Sequence, residues 1–235
     1  MEDYLKQYID ANTNFGDIMK ESLQLNNRKI HSTSASFIDD LEIWITFNDK
    51  TNEEIIYKEA VSEYRAMLLF WSMGLYKYSF MALRGYFELM LFGIQLSTNE
   101  LNFRLWKQSE LDIYWSQIID EEKGIFSEQF VKAFQPLFLE NVKPMRLLAK
   151  KVYRECSEYI HSNYITTNTL PKNTCYKQEI YEAIGYKAEI INQVITFMLS
   201  VRYLDSIRKK DMLGRFENCI MDKIGYLPCV REIYN

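Results

Sequence analysis

Helix breakers are rare in this chain: 235 residues carry only 8 glycines and 4 prolines. Folds rich in hairpins need turn residues every few positions, so this scarcity favours long uninterrupted helices over many short strands. The length suits one large domain, or a domain with a helical extension. With 48% hydrophobic and 26% charged residues there is enough apolar surface for a sizeable core, and little disorder is expected.

Reading along the chain, short helices are expected at Glu2–Asp10 and Phe15–Asn26, then a polar connection from Asn27 to Ser36 in which His31 reads as a solvated loop histidine. Phe37–Phe47 alternates in its second half and fits either a short strand or another helix. Thr51-x-x-Glu54 is a capping box. It starts an element that runs to Leu96 with a break near Gly74, as one hairpin arm or two consecutive helices. Its stretch from Ala66 to Gln95 is apolar enough to suggest a membrane span, but Lys77, Arg84 and Glu88 interrupt it, so it reads as a buried core helix.

Ser97-x-x-Glu100 and Ser109-x-x-Asp112 offer further start signals, the latter for a helix through Ile119, and Ser127–Phe134 reads as a short helix. Pro144 fits the first turn of a helix that continues to His161. Asn163 to Thr174 is the clearest long loop, and a final long helix follows over about 175–210, with Ile180, Ile184, Ile191, Ile195 and Leu199 at helical spacing. Leu213–Ile224 forms a short tail helix. The expected division is an N-terminal extension over 1–50, a helical bundle over 51–210 and a helical tail over 211–235.

A net charge of −4 excludes a global basic field for nucleic acid or anionic membranes, so any contact with RNA would need a local patch. Arg202, Arg208, Lys209 and Lys210 could supply one, but basic residues at a helix C-terminus also complement its dipole, and that reading is favoured. The 17 tyrosines and 14 phenylalanines fit core positions better than base-stacking ones. Cys156, Cys175, Cys219 and Cys229 have neither CxxC pairing nor zinc-type spacing, and nothing resembles a secretory signal, so a reduced, soluble cytoplasmic protein is expected. No P-loop, dinucleotide fingerprint, HExxH or GxSxG motif is present, and no cofactor or metal is called for.

One polar stripe stands out. Each helical residue advances about 100°, so Arg154 and His161, seven apart, return to one face with Ser157 between them. Glu155 and Glu158 flank the stripe as supporting acids. Arg84 and Glu88, one turn apart on the apolar helix, read as an internal ion pair, because pairing is how charges persist on such a helix.

These features resemble the HEPN superfamily of helical-bundle domains, which includes ribonuclease toxins, antiviral defence effectors and non-catalytic nucleotide-binding or scaffold proteins. The resemblance rests on Tyr153-Arg-Glu-Cys-Ser-Glu-Tyr-Ile-His161, an arginine and histidine separated by six residues near the end of a penultimate long helix, and on the earlier helix Ala82–Leu91 with its Arg84 and Glu88. It covers roughly residues 51–208. It implies an all-α, up-down bundle with short connecting helices, acting as a homodimer in which two stripes meet. It further implies metal-independent RNA cleavage to a 2′,3′-cyclic phosphate, with His161 as general acid or base, Arg154 holding the scissile phosphate and Ser157 orienting the histidine. The alternative is a non-catalytic sensor or interaction module that binds a nucleotide, a nucleic acid or a defence-system partner protein through the same groove.

Overall fold

The computed structural model describes residues 2–161 and 163–234, and among them every regular element is a helix. Two helices open the chain, α1 (Glu2–Ser22) and α2 (Leu25–Phe47). They replace the two short helices and the polar connection expected over the first 36 residues. The reason lies in α2 and its C-cap Asn48, where Asn27, Ser34, Phe37, Leu41, Trp44 and Asn48 are buried and Ile30 is half-buried at alternating spacings of three and four. Polar Asn27 and Ser34 hold core-facing positions, so the helical face is continuous although the apolar pattern is not. The same register settles Phe37–Phe47 as helix.

His31 therefore sits on a helix and not in a solvated loop, its ring 5.0 Å from that of Trp71 and its Nε2 3.2 Å from the Leu68 carbonyl. Burial holds its pKa below the ordinary 6.5, opposed by that hydrogen bond. The unfolded chain binds a proton near the ordinary value and the folded chain only below it. Stability is thus expected to fall as pH drops through 6.5 toward the lowered folded value, and to level off beneath it. Urea unfolding of wild type and His31→Gln between neutral pH and about pH 5 should show this increment only where the histidine is present.

The next pair, α3 (Glu54–Ser72) and α4 (Tyr76–Leu96), packs as an antiparallel hairpin. The expected Thr51-x-x-Glu54 capping box does not form: α3 begins at Glu54 after Glu53, which makes no side-chain cap, the Thr51 hydroxyl is spent donating to the Asn48 carbonyl, and the Glu54 carboxylate accepts from the Lys50 amide instead. At the turn Gly74 has φ +71°, and a Cβ there would lie 2.8 Å from the Cys175 carbonyl oxygen. Gly74→Ala should therefore lose about 2 kcal/mol of unfolding free energy in denaturant titration.

Short helices follow: α5 (Glu100–Lys107), α6 (Trp115–Ile118) and α7 (Glu128–Phe134). Ser109 starts no helix. Its φ of 60° and the Glu110 amide bond to the Leu105 carbonyl make it the left-handed stop of α5, and residues 110–114 are non-helical. The helix expected at Ser127–Phe134 forms as α7, with Ser127 as its cap, accepting from the Phe130 amide.

A 3₁₀ turn, Pro136–Phe138, leads into α8 (Leu139–Ile160), so Pro144 lies inside that helix, exposed, and not in its first turn. Within the expected loop at Asn163–Thr174, α9 (Tyr164–Thr169) forms, tied back by the Thr166 hydroxyl on the Glu158 carbonyl at 2.7 Å. The long α10 (Gln178–Lys209) is buried on most of its circumference and forms the axis around which α2, α4, α7, α8 and α11 (Leu213–Ile224) pack. The chain then forms α12 (Pro228–Tyr234).

One core unites these helices, and it includes Phe37, Leu41 and Trp44 from the first 50 residues and Phe216, Ile220 and Val230 from the tail. A buried hydrogen-bond chain crosses it, from Tyr86 to Asn192, Tyr64 and the Ser34 carbonyl, fixing α2, α3, α4 and α10 in register. Ala66–Gln95 is the end of α3 and most of α4, with one face of each helix in the core and Leu69, Tyr78 and Met81 exposed, and among the described residues no helix is long and apolar enough to cross a membrane.

Candidate functional site

The C-terminal half of α8 runs beside the N-terminal half of α4. Phe80 stacks on Tyr159 with ring centroids 3.9 Å apart, and this contact aligns the two helices. One turn further along α4, Arg84 reaches across to α8. Its Nη2 donates to the Glu88 carboxylate at 3.1 Å and to the Tyr153 hydroxyl at 2.6 Å, while Tyr153 donates to the same carboxylate at 2.7 Å. Its Nη1 lies 3.2 Å from Nε2 of His161, the residue that ends α8.

Arg84 and Glu88 are thus the ion pair expected from their spacing, and they do more than neutralise each other. They form a cluster with Tyr153 and His161. Trp115 stacks flat on Tyr153, 3.8 Å away with 3° between the ring planes. Desolvation pushes the Tyr153 phenol up to about 12, helped by the Glu88 hydrogen bond, so near neutrality it is a fixed donor. Tyr153→Phe is expected to loosen Arg84 and to lower stability by about 1 kcal/mol in urea unfolding.

Arg154 lies on the outward side of α8, its side chain 82% exposed and its Nε 3.3 Å from Glu158. Solvent screening keeps such a pair weak, so Arg154 is available to an incoming anion. Together with Lys150, Lys151, Glu155 and Glu158 it lines an open cavity of about 460 Å³. Ser157 is half-buried, and its hydroxyl donates to the Tyr153 carbonyl at 2.7 Å. The histidine's Nε2 meets Arg84, and the Ser157 hydroxyl is turned to Tyr153 instead of orienting the ring.

Glu155 turns inward to pair with Lys187 of α10, whose side chain is 11% exposed. Glu155→Ala would leave that ammonium buried without its carboxylate, and about 2 kcal/mol of stability should be lost on urea titration. The possible phosphate patch near the end of α10 is dispersed. Arg202 donates to the Ser97 hydroxyl and carbonyl at 2.7 and 3.1 Å, Lys210 lies over the Phe47 ring at 4.2 Å, and Arg208 sits near Asp205.

Among the described residues no three His, Cys, Asp or Glu side chains converge as a metal cradle. All four cysteines are free thiols, and burial pushes those of Cys156 and Cys219 up to about 12. Sequence reasoning passed over Tyr153 and Trp115 as site residues. Tyr153, four residues before Ser157 and eight before His161, was detectable as the inner edge of the stripe. Trp115 was not, because only the tertiary fold brings α6 to α8. The chain matches no protein-family model, and no curated protein or solved structure is detectably similar to it.

Proposed function

We propose that this chain is a HEPN-like, metal-independent endoribonuclease of a bacterial defence or toxin system, acting as a homodimer in a cytoplasmic setting. The observation that carries this reading is the openness of the outward row of α8: His161 and Arg154 are both exposed, and Arg154 borders a groove with Lys150 and Lys151. A purely structural polar cluster would be expected to face its own bundle. Arg154 faces solvent, where an RNA backbone or a second copy can reach it, and His161 keeps exposed surface although its Nε2 meets Arg84.

In the proposed reaction the 2′-hydroxyl proton passes to the imidazole of His161 as the 2′-oxygen attacks phosphorus. The O2′–P bond forms, the P–O5′ bond breaks, and the imidazolium returns the proton to the departing 5′-oxygen, leaving a 2′,3′-cyclic phosphate. Arg154 of the partner subunit would hold the scissile phosphate, because a guanidinium fork matches two phosphate oxygens. An imidazole can accept a proton at one ring nitrogen and later release it, which suits both transfers.

A second reading, a non-catalytic sensor or interaction module, is favoured by one observation. The imidazole is already engaged by Arg84. Total-RNA integrity in cells expressing wild type, Arg154→Ala or His161→Ala separates the two. The nuclease reading expects fragmented RNA with wild type only. Intact RNA in all three, under conditions where the wild type is toxic, would overturn it in favour of the module.

A further inference from the structure

The chain contains two histidines, and their partners differ in kind. His31 Nε2 faces the Leu68 carbonyl oxygen, which can only accept, so that nitrogen carries the proton. His161 Nε2 faces Nη1 of Arg84, which can only donate, so that nitrogen must offer its lone pair. An imidazolium has no lone pair to offer. The ring of His161 in this arrangement is therefore neutral, with its proton on Nδ1.

From this we infer that Arg84 is a positioning residue that holds His161 in the Nδ1–H tautomer and caps its basic nitrogen until the guanidinium moves away. The arginine is well placed for that task. Its second terminal nitrogen is anchored to both Glu88 and Tyr153, its side chain is 20% exposed, and its Cζ lies 4.7 Å from the centre of the Tyr153 ring that Trp115 backs. A guanidinium fixed at three points has little freedom to turn. The free imidazole side chain prefers its proton on Nε2, so Arg84 inverts the ordinary preference at His161 while Leu68 preserves it at His31.

The consequence for the chemistry rests on the nuclease reading, although the inference itself does not. In the arrangement described, His161 can donate from Nδ1 to an approaching oxygen, but it cannot accept the 2′-hydroxyl proton at Nε2. Substrate or a second copy must draw Arg84 off Nε2 before the ring can act as a base there. Arg84 thus regulates the site without itself needing to touch the reacting atoms.

The test uses the full chain without RNA. In mildly alkaline buffer, a correlation spectrum of ¹⁵N-labelled histidine resolves the two rings, and His161→Gln assigns them. The expected wild-type result is two opposite tautomers, Nε2–H at His31 and Nδ1–H at His161. In Arg84→Met the His161 ratio should reverse to mainly Nε2–H with His31 unchanged, and carbethoxylation of His161 by diethylpyrocarbonate should become several-fold faster. If Arg84→Met does not fold, Glu88→Gln with Tyr153→Phe releases the arginine at nearly constant volume, and the same reversal is expected. Nε2–H as the major form of wild-type His161, or Nδ1–H persisting once Arg84 is removed or released, would overturn the inference. A chain that shows the expected tautomers but cleaves no RNA sinks the nuclease reading alone.

Discussion

His161→Ala is expected to lower RNA cleavage by about 10²–10⁴-fold, the usual contribution of a positioned general acid or base. The fold should be unaffected. His161 is exposed at the end of α8, and the bond from its backbone amide to the Ser157 carbonyl, which closes the last turn, does not depend on the imidazole. Arg154→Ala should cost about 10²–10³-fold for a different reason, loss of charge stabilisation at the phosphate. Glu158→Gln provides the contrast, since it frees Arg154 from its exposed pair and should leave cleavage unchanged or faster. Cleavage rates on a labelled single-stranded RNA, with melting curves for each variant, distinguish loss of chemistry from loss of fold. Wild-type rates in His161→Ala would remove the imidazole from the mechanism.

The largest stability effect is expected at Trp71. It is 0% exposed, its Nε1 donates to the Tyr181 carbonyl at 3.0 Å, and its ring lies 4.7 Å from that of Tyr181 and 5.0 Å from that of His31. One side chain thereby joins α3 to both α10 and α2. Gly185 on α10 shows how close the packing is, since a Cβ there would fall 3.1 Å from the indole. Trp71→Ala should lose about 3–5 kcal/mol through its cavity and the lost indole hydrogen bond, a large part of what a domain normally possesses. Leu69 on the same helix is 49% exposed, and Leu69→Ala should change stability by less than about 0.5 kcal/mol. Denaturant titration reads both, and equal effects would mean that α3 does not present this face to the core.

The helical class was legible because breakers are scarce, and α11 matches the sequence reading residue for residue because a polar connection and Gly225 bracket a clean amphipathic run. The first 36 residues were misread for a specific physical reason. Ser34 and Asn27 occupy buried positions and satisfy their polar groups within the fold: Ser34 offers its carbonyl to Tyr64, and Asn27 donates to Tyr176. A pattern based on apolar residues alone loses the helix there. Ser109 misled in the opposite direction, because a serine followed three residues later by an acid can start a helix but can also follow the end of one.

At the candidate site, intrahelical relations were readable and interhelical ones were not. Helical spacing placed Arg154, Ser157 and His161 on one side of α8 and paired Arg84 with Glu88. It carried no information that α4 lies against α8, and so could not show that Arg84 is the arginine in contact with His161. Nor could it show that Glu155 turns away to neutralise Lys187, or that Arg202 is engaged at the end of α4. Each of these contacts is set by the packing of helices far apart in the chain.

The central claim is that Arg154 of one copy and His161 of another make one site, and subunit mixing tests it most directly. Arg154→Ala and His161→Ala are each expected to be inactive alone. In a twofold dimer that combines them, one site regains both residues and the other has neither. After unfolding and refolding an equimolar mixture, half the dimers are mixed, so cleavage should return to roughly a quarter of the wild-type rate. A mixture as inactive as its components, with mixed dimers verified by mass, would contradict a site shared between two copies.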